Sequence, residues 1–457
     1  MQNYSFSSMR MPNLRLAELL GALSHALDVT EGQPQGHCVR SCWIGYRIGV
    51  ESGLDAEQLS DIYYTILLKD LGCSSNAARI CQLYLTDDRA FKHDYKQLDD
   101  ALPQVLHFVL THTGLKAGLS ERFRAILNIF QNGGQIAREL IDTRCHRGSD
   151  IARRMRFSEL VADGVKSLDE HWDGGGKPAG IRGLDIPFNA QIALLAQVVD
   201  VFHTASGPRA ALAEARRRAG SWFNPKWVSA LERVAEQPEF WPQLESRDLF
   251  DRVLGLPPGL GSVLVDDDYL DDIAAAFAQI IDSKSPYTSN HSERVTVFAD
   301  LIAAQLGLTP EHRRWLRRAA LLHDIGKLGV SNAILDKPGK LDEAEWVAMQ
   351  AHPALSEAIL ERIAAFRELA PIAGAHHERL DGKGYPRGLS GDQIRLETRI
   401  LTVADIFDAL TAKRPYRDAM PIAQALAILS DMVGAAIDAD CFAALRASIA
   451  PGARLAA

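Results

Sequence analysis

Apolar residues recur along this chain at the three- and four-residue spacing of amphipathic helices, and seldom at the two-residue spacing of strands. In Asp271–Ile281 the residues Ile273, Ala274, Phe277, Ile280 and Ile281 fall on one stripe. Val295, Phe298, Leu301, Ile302 and Leu306 repeat the pattern in a second helix. Gly307 ends that helix, and Thr309-Pro310 opens a third as N-cap and first helical residue. Alternating runs of β-branched residues are scarce. The pattern therefore predicts an all-α fold.

The same pattern occurs twice. Gly53-Leu54-Asp55-Ala56-Glu57 matches Gly307-Leu308-Thr309-Pro310-Glu311, and Leu67-Leu68-Lys69-Asp70-Leu71-Gly72 matches Leu321-Leu322-His323-Asp324-Ile325-Gly326. His37 precedes Asp70 by 33 positions and His291 precedes Asp324 by 33, so both pairs are offset by 254. Further on, His171-Trp172-Asp173-Gly174-Gly175-Gly176-Lys177-Pro178 matches Arg379-Leu380-Asp381-Gly382-Lys383-Gly384-Tyr385-Pro386, and Val199-Asp200-Val201-Phe202 matches Ala404-Asp405-Ile406-Phe407. The first copy is longer in its middle: Asp70 to Asp173 spans 103 positions, Asp324 to Asp381 only 57. The excess of about 46 residues falls near Ala78–Gln131 and reads as inserted helices with charged turns. The expected organisation is a first domain over 1–255, a linker over 256–268 and a second domain over 269–457. Pro257-Pro258-Gly259-Leu260-Gly261 and the acidic Asp266-Asp267-Asp268 mark the linker.

Composition changes this picture little. A length of 457 residues suits two or three domains, and 47% hydrophobic with 24% charged residues suits packed cores rather than disorder. The net charge of −8 speaks against a nucleic-acid-binding face or an anionic membrane surface. The six cysteines form no CxxC pair, which suits reduced thiols in the cytoplasm. Met1–Pro12 has no apolar signal-peptide core, and no apolar run approaches the ~18–20 residues that span a bilayer. The expectation is a soluble, cytoplasmic protein that contacts neither nucleic acid nor membrane.

Histidines and aspartates crowd between Leu321 and Arg417. His323-Asp324 ends an apolar helix, and Lys327 lies four residues past His323, on the same face if the helix continues. Read alone, this pair is equally a capped, salt-bridged helix end. His352, in Gln350-Ala351-His352-Pro353, is equally a helix cap, and His376-His377 is equally a solvated loop pair. Asp405 sits among Ile400, Leu401, Val403, Ala404, Ile406 and Phe407, where a carboxylate is costly to bury unless paired or metal-bound. Taken together, and with His291 upstream, the set suits a two-metal phosphodiester hydrolase, which needs imidazoles and at least one bridging carboxylate.

Over Asp268–Ala436 these motifs, with Arg414-Pro415-Tyr416-Arg417, resemble the HD-GYP subgroup of the HD-superfamily phosphohydrolases. The resemblance implies tandem HD-type helical domains, the second catalytic. It implies two divalent transition-metal ions, iron or manganese, and hydrolysis of cyclic di-GMP to pGpG, GMP or both. Carried over position by position, it implies one metal on His291, His323, Asp324 and Asp405, and another on His352, His376 and His377, with Asp324 bridging. It implies catalytic roles for Asp324 and Lys327, and substrate contacts from Lys327, Arg414 and Tyr385. Some relatives hold a third metal through a carboxylate one turn before the first histidine; that position is Tyr287 here, so two ions are expected. Gly384-Tyr385-Pro386 would shape the substrate mouth or dock a partner such as a cyclase domain, and a homodimer is a compatible assembly.

The first copy resembles a degenerate HD domain, which suggests a regulatory role. Lys69 stands for His323, Cys73 for Lys327, Leu168 and Asp169 for the histidine pair, and Lys177 for Tyr385. His37, Asp70 and Asp200 remain, and His146 falls near the place of His352. An ammonium in place of a metal ligand opposes a two-metal site. A hydrogen-bonded core is expected instead, with Lys69 paired to Asp70 or Asp200; a ligand-sensing pocket is the alternative. Cyclic di-GMP leads the substrate expectations. 3′3′-cyclic GMP-AMP is its close rival, because some tandem HD plus HD-GYP proteins resemble this layout. A rival of another class is a non-catalytic, cyclic-dinucleotide-binding regulatory protein.

Overall fold

The computed structural model describes residues 16–95, 102–115, 117–256, 265–413 and 417–450. Among these residues there are helices and three isolated β-bridges, but no strand. The chain divides into two compact units; the first ends at Val265 and the second begins at Asp266, with Ser331–Ala333 grouping with the first. No described helix is long and apolar enough to cross a membrane.

The first unit is built on α1 (Leu16–Thr30), α2 (His37–Glu51), α3 (Ala56–Leu68), α4 (Leu119–Arg154), α5 (Glu159–Lys166) and α6 (Phe188–Ser206). The second is built on α7 (Asp267–Asp282), α8 (His291–Gln305), α9 (Pro310–Leu322), α10 (His352–Leu360), α11 (Ala370–Gly374) and α12 (Leu396–Thr411). Packing repeats between them: α2 lies on α3 and α6, as α8 lies on α9 and α12. The first unit alone carries Ala77–Tyr84, Asp88–Tyr95 and Leu102–His112 ahead of a 36-residue α4, which is where the extra residues were expected.

The apolar stripe of α7 is the core of the second unit, with Ile273, Ala274, Phe277, Ile280 and Ile281 all at most 3% exposed. Each large side chain so buried contributes roughly 1.5–3 kcal/mol. In α8 the buried seam is rotated from the expected stripe. Val295, Ala299, Ile302 and Ala303 are buried, while Leu301 and Leu306 are half-exposed. The two alanines let neighbouring helices approach, and Phe298 is left to pack edge-on against Phe407 (4.9 Å, 85°).

The acidic run expected to mark the linker instead starts α7. Asp266 is its N-cap and accepts from Tyr269 N (2.8 Å). Asp267 and Asp268 then pair with Arg318 and Arg314 of α9. The rest of the Pro/Gly stretch, 257–264, lies outside the described residues.

An aspartate anchors the start of α2 and of α8, the helices that His37 and His291 open. Asp28 accepts from Gly36 N (2.8 Å) and Cys38 N (2.9 Å) ahead of α2, and Asp282 accepts from Ser292 N (3.1 Å) and Oγ (2.8 Å) in α8. Burial is the main influence on Asp28 and drives it up to about 6, against its hydrogen bonds from Cys38. With a folded pKa above the unfolded value near 3.9, this group lends stability that is complete below about pH 4 and lost as pH rises through about 6, roughly 3 kcal/mol in all. Asp28→Asn should therefore flatten the decline in unfolding free energy between about pH 4 and 7. Urea unfolding at both ends of that range checks it, and parallel profiles for wild type and variant would count against the buried acid.

Candidate metal centre

In the second unit four histidines converge on one carboxylate. His291 opens α8, His323 directly follows α9, His352 opens α10 and His376 lies just beyond α11. Each anchors Nδ1 on the protein. Nδ1 of His323 donates to Ala320 O (2.7 Å), that of His352 to Met349 O (2.6 Å) and that of His376 to Ala373 O (2.5 Å). A carbonyl only accepts, so in these neutral rings Nδ1 carries the proton and Nε2 the lone pair. Nδ1 of His291 meets Asp408 Oδ2 at 2.6 Å.

The four Nε2 atoms all face Asp324, and they divide between its oxygens. His291 and His323 lie 3.4 and 3.5 Å from Oδ2; His352 and His376 lie 3.3 and 3.6 Å from Oδ1. Asp405 reaches in from α12, with Oδ1 3.4 Å from His291 Nε2. Three groups have ligand atoms within 4.8 Å of one another: His352, His376 and His377; His291, His323 and Asp324; and His323, His376 and Asp405. The fold thus gathers all seven residues singled out as metal ligands.

The donors fit a cation better than they fit one another. His291 Nε2, His323 Nε2 and Asp324 Oδ1 are buried with no hydrogen-bond partner. Such a cluster is destabilising unless positive charge sits within it. Protonation states also suit ligation. Burial, with His323 alongside, pushes His376 down to about 3, and burial with His376 and His352 holds His377 well below the usual histidine range. Burial likewise lowers His323. Burial opposes the Asp324 anion, but His323 and Lys327 hold it well below the usual carboxylate range. His291 differs: burial disfavours its charge, yet Asp324 and Asp408 outweigh that and raise it to about 9.

Lys327 arrives by a different route from the one its spacing suggested. The α-helix stops at Leu322, and a 3₁₀ turn over Ile325–Gly329 follows. Three residues per turn brings Lys327 back over Asp324, whose Oδ2 its Nζ contacts, rather than over His323. Tyr385 packs on His377 (4.9 Å) and lies near Trp346 (6.1 Å), so it walls the cluster. Arg414 and Tyr416 lie outside the described residues.

Asp408 was missed in the sequence. It is 1% exposed and accepts from His291 Nδ1 and from Arg294 Nε (2.5 Å) and Nη2 (3.0 Å), which fixes the His291 ring. A clue was available: Arg294 stands three residues after His291, as Arg40 does after His37. Removing such a supporting partner typically weakens metal affinity 10–100-fold. Asp408→Ala should do so by roughly that factor, read by competition with a metal-sensitive dye. Unchanged affinity would show that Asp408 does not orient His291.

The first unit keeps the scaffold and changes the side chains. His37 Nδ1 meets Asp200 at 2.7 Å and Arg40 Nε meets it at 2.6 Å, the arrangement that His291 and Arg294 make with Asp408. Asp200 is therefore the counterpart of Asp408 and not of Asp405, whose place one turn earlier is taken by Gln197. Gly72 abuts the Arg144 carbonyl as Gly326 abuts that of His352. Arg144 is thus the counterpart of His352, and His146 is exposed, bonded to Asp142 O of its own helix. Lys69 pairs with Asp70, and Arg144 with Asp169. Cations of the protein stand where two of the histidines would be.

A family model described as HD domain matches residues 110–226 and 275–441. The 3′3′-cGAMP-specific phosphodiesterase 3 of Vibrio cholerae serotype O1 is 55% identical over 434 residues, covering 95% of this chain and 94% of that protein. The cyclic di-GMP phosphodiesterase response regulator RpfG of Xanthomonas campestris pv. campestris is 44% identical over 170 residues, 37% of this chain and 45% of that protein. A crystal structure of a cyclic GMP-AMP-specific phosphodiesterase of V. cholerae (V-cGAP3) matches with a TM-score of 0.66 at 50% identity, covering 96% of this chain and 98% of that one. The chain belongs to the HD-domain family, with a degenerate HD domain followed by one of the HD-GYP kind.

Proposed function

We propose that this chain is a metal-dependent phosphodiesterase that opens 3′3′-cyclic GMP-AMP at the histidine cluster of its second unit. The observation that carries the hydrolase reading is Asp324, whose two oxygens each face a separate pair of histidine Nε2 atoms. On this reading His291, His323, Asp324 and Asp405 would hold one ion, and His352, His376 and His377 would hold the other, with Asp324 contributing to both. Mixed imidazole and carboxylate donors suit iron or manganese. Such ions supply an acidified water and positive charge for the phosphorane-like transition state.

The chain's own residues do the rest. Asp408 and the three carbonyls hold the imidazoles in the tautomer that presents Nε2. Lys327, poised over Asp324, is the cation within reach of a non-bridging phosphate oxygen. Tyr385 closes one wall beside His377 and offers a ring to a nucleobase. Its packing against the cluster favours the mouth-shaping role of the Gly384-Tyr385-Pro386 turn over docking of a cyclase domain. The six cysteines are free thiols, which fits action in the reducing cytoplasm.

Cyclic di-GMP leads the expectations from sequence, and RpfG supports it over 37% of this chain. The full-length relative at 55% identity supports cyclic GMP-AMP across both units, so the rival becomes the leading substrate. The intact donor set speaks against a binding protein without catalysis. Steady-state kinetics on a panel of cyclic dinucleotides tests the choice. Cyclic GMP-AMP should exceed cyclic di-GMP in kcat/KM by about tenfold or more, as expected when one site must accept a different base edge. The reverse order would restore cyclic di-GMP.

A further inference from the structure

The first unit holds a cavity of about 140 Å³ at the place of the second unit's histidine cluster. Arg144, Asp169, Lys177 and Gln197 line it, the counterparts of His352, His377, Tyr385 and Asp405, together with His171 and Trp222. Its charge is arranged in the opposite sense. The second unit's cluster is imidazole and carboxylate and must draw positive charge from ions. The first unit's wall brings its own. Arg144 is balanced by Asp169, whereas the Lys177 side chain has no ion-pair or hydrogen-bond partner among the described residues. The wall therefore carries one uncompensated positive charge, in a recess where desolvation strengthens its pull on an anion.

Two further features give the ligand a shape. A second cavity of about 90 Å³ shares Tyr95, Ile141 and Arg144 with the first, and Tyr84 and Phe91 line it. Tyr84 and Phe91 lie 4.3 Å apart, and Phe91 and Tyr95 stack at 5.9 Å. An aromatic recess thus adjoins the cationic one across Arg144. The closing segment also differs. Trp172 N donates to Trp222 O as Leu380 N donates to Ala436 O. Yet 22 positions separate Asp200 from Trp222, and 28 separate Asp408 from Ala436. The first unit lacks the residues corresponding to the Arg414 segment, and it puts a tryptophan, stacked on His171 at 4.1 Å, where the second has alanine.

We propose that the first unit binds a 5′-phosphorylated nucleotide without metal, its phosphate between Lys177 and Arg144 and its base toward the recess of Tyr84, Phe91 and Tyr95. Protein cations take over the work that ions do in the second unit, which explains why a cavity persists after the donor set is gone. The acid and thiol groups nearby, Glu31, Asp70 and Cys73, do not make it a metal site, because Lys92 (3.3 Å from Glu31) and Lys69 already neutralise them.

Titration of the full chain with guanosine 5′-monophosphate tests this, before and after chelation of its metals. The signal is Trp222 fluorescence, taken as the difference between the wild type and Trp222→Phe. A saturable change is expected that survives chelation, that inorganic phosphate competes away and that guanosine does not reproduce. Lys177→Glu should weaken it by about tenfold or more, and Lys177→Arg should restore it. No saturable change overturns the proposal. So does one that needs metal, that guanosine matches or that Lys177→Glu leaves intact.

Discussion

Replacing Asp324 with asparagine is expected to lower phosphodiester hydrolysis by roughly a thousandfold or more, since ions placed for this chemistry supply several kcal/mol of transition-state stabilisation. The carboxylate is 1% exposed, and its two oxygens face the two histidine pairs separately. An amide keeps its shape but offers one neutral oxygen, so it cannot serve both sides. The near-isosteric change also separates chemistry from folding, which Asp324→Ala alone does not. The matching Asp70→Asn alters a pair already closed by Lys69 and should leave the rate nearly unchanged. Steady-state rates, normalised to folded protein, decide between these outcomes. Activity that survives at Asp324 would remove that residue from the centre.

Gly326→Ala should be the most damaging change of a residue that carries no chemistry. A Cβ there would lie 2.0 Å from the His352 carbonyl oxygen and 2.7 Å from Ser356 N. Both are backbone atoms of α10, so no side chain can rotate away. The existing contact is tight for a reason: Gly326 N donates to Ser356 Oγ (2.9 Å), which pins α10 and with it His352. Overpacking of this kind typically costs about 1–3 kcal/mol, and a backbone clash puts the expected loss at the upper end. Displacement of His352 should also remove one metal position. Gly72→Ala meets the Arg144 carbonyl at 1.9 Å and should destabilise the first unit similarly while sparing bound metal. Urea unfolding together with metal content reads both effects; a Gly326→Ala protein with wild-type stability and metal would contradict the packing described.

Much of this was legible in the sequence, and the failures have physical causes. Helix positions followed from apolar spacing, and Thr309-Pro310 does open α9. The histidines came from a dense ordered motif, and the fold brings them together. The stripe on α8 was misjudged because large apolar residues were weighted over Ala299 and Ala303, which are buried by virtue of being small. The repeat was set one turn out of register in α6 because Asp405 and Asp408 occupy successive turns of α12 and both sit beside apolar residues. The contacts to His37 Nδ1 and Arg40, matched by those to His291 Nδ1 and Arg294, tell them apart. Residue type points to His146 as the counterpart of His352, whereas the fold preserves the backbone contact of Arg144 with Gly72 and not the side chain. Lys327 was placed by α-helical spacing across a turn that is 3₁₀. Within the basic run Arg313–Arg318, Arg318 is 6% exposed and pairs with Asp267 and Asp271, contacts that no local pattern encodes.

On the proposed assignment one carboxylate divides the second unit's donors between two ions, while the first unit holds none. Metal content per chain tests it most directly, measured by plasma mass spectrometry on full chain purified without oxygen, for the wild type, Asp324→Ala and Lys69→His. Two equivalents are expected in the wild type, at most one in Asp324→Ala, and no gain in Lys69→His, where Arg144 and Leu168 still replace donors. A wild-type chain without bound metal, or an Asp324→Ala chain that keeps both ions, would contradict it.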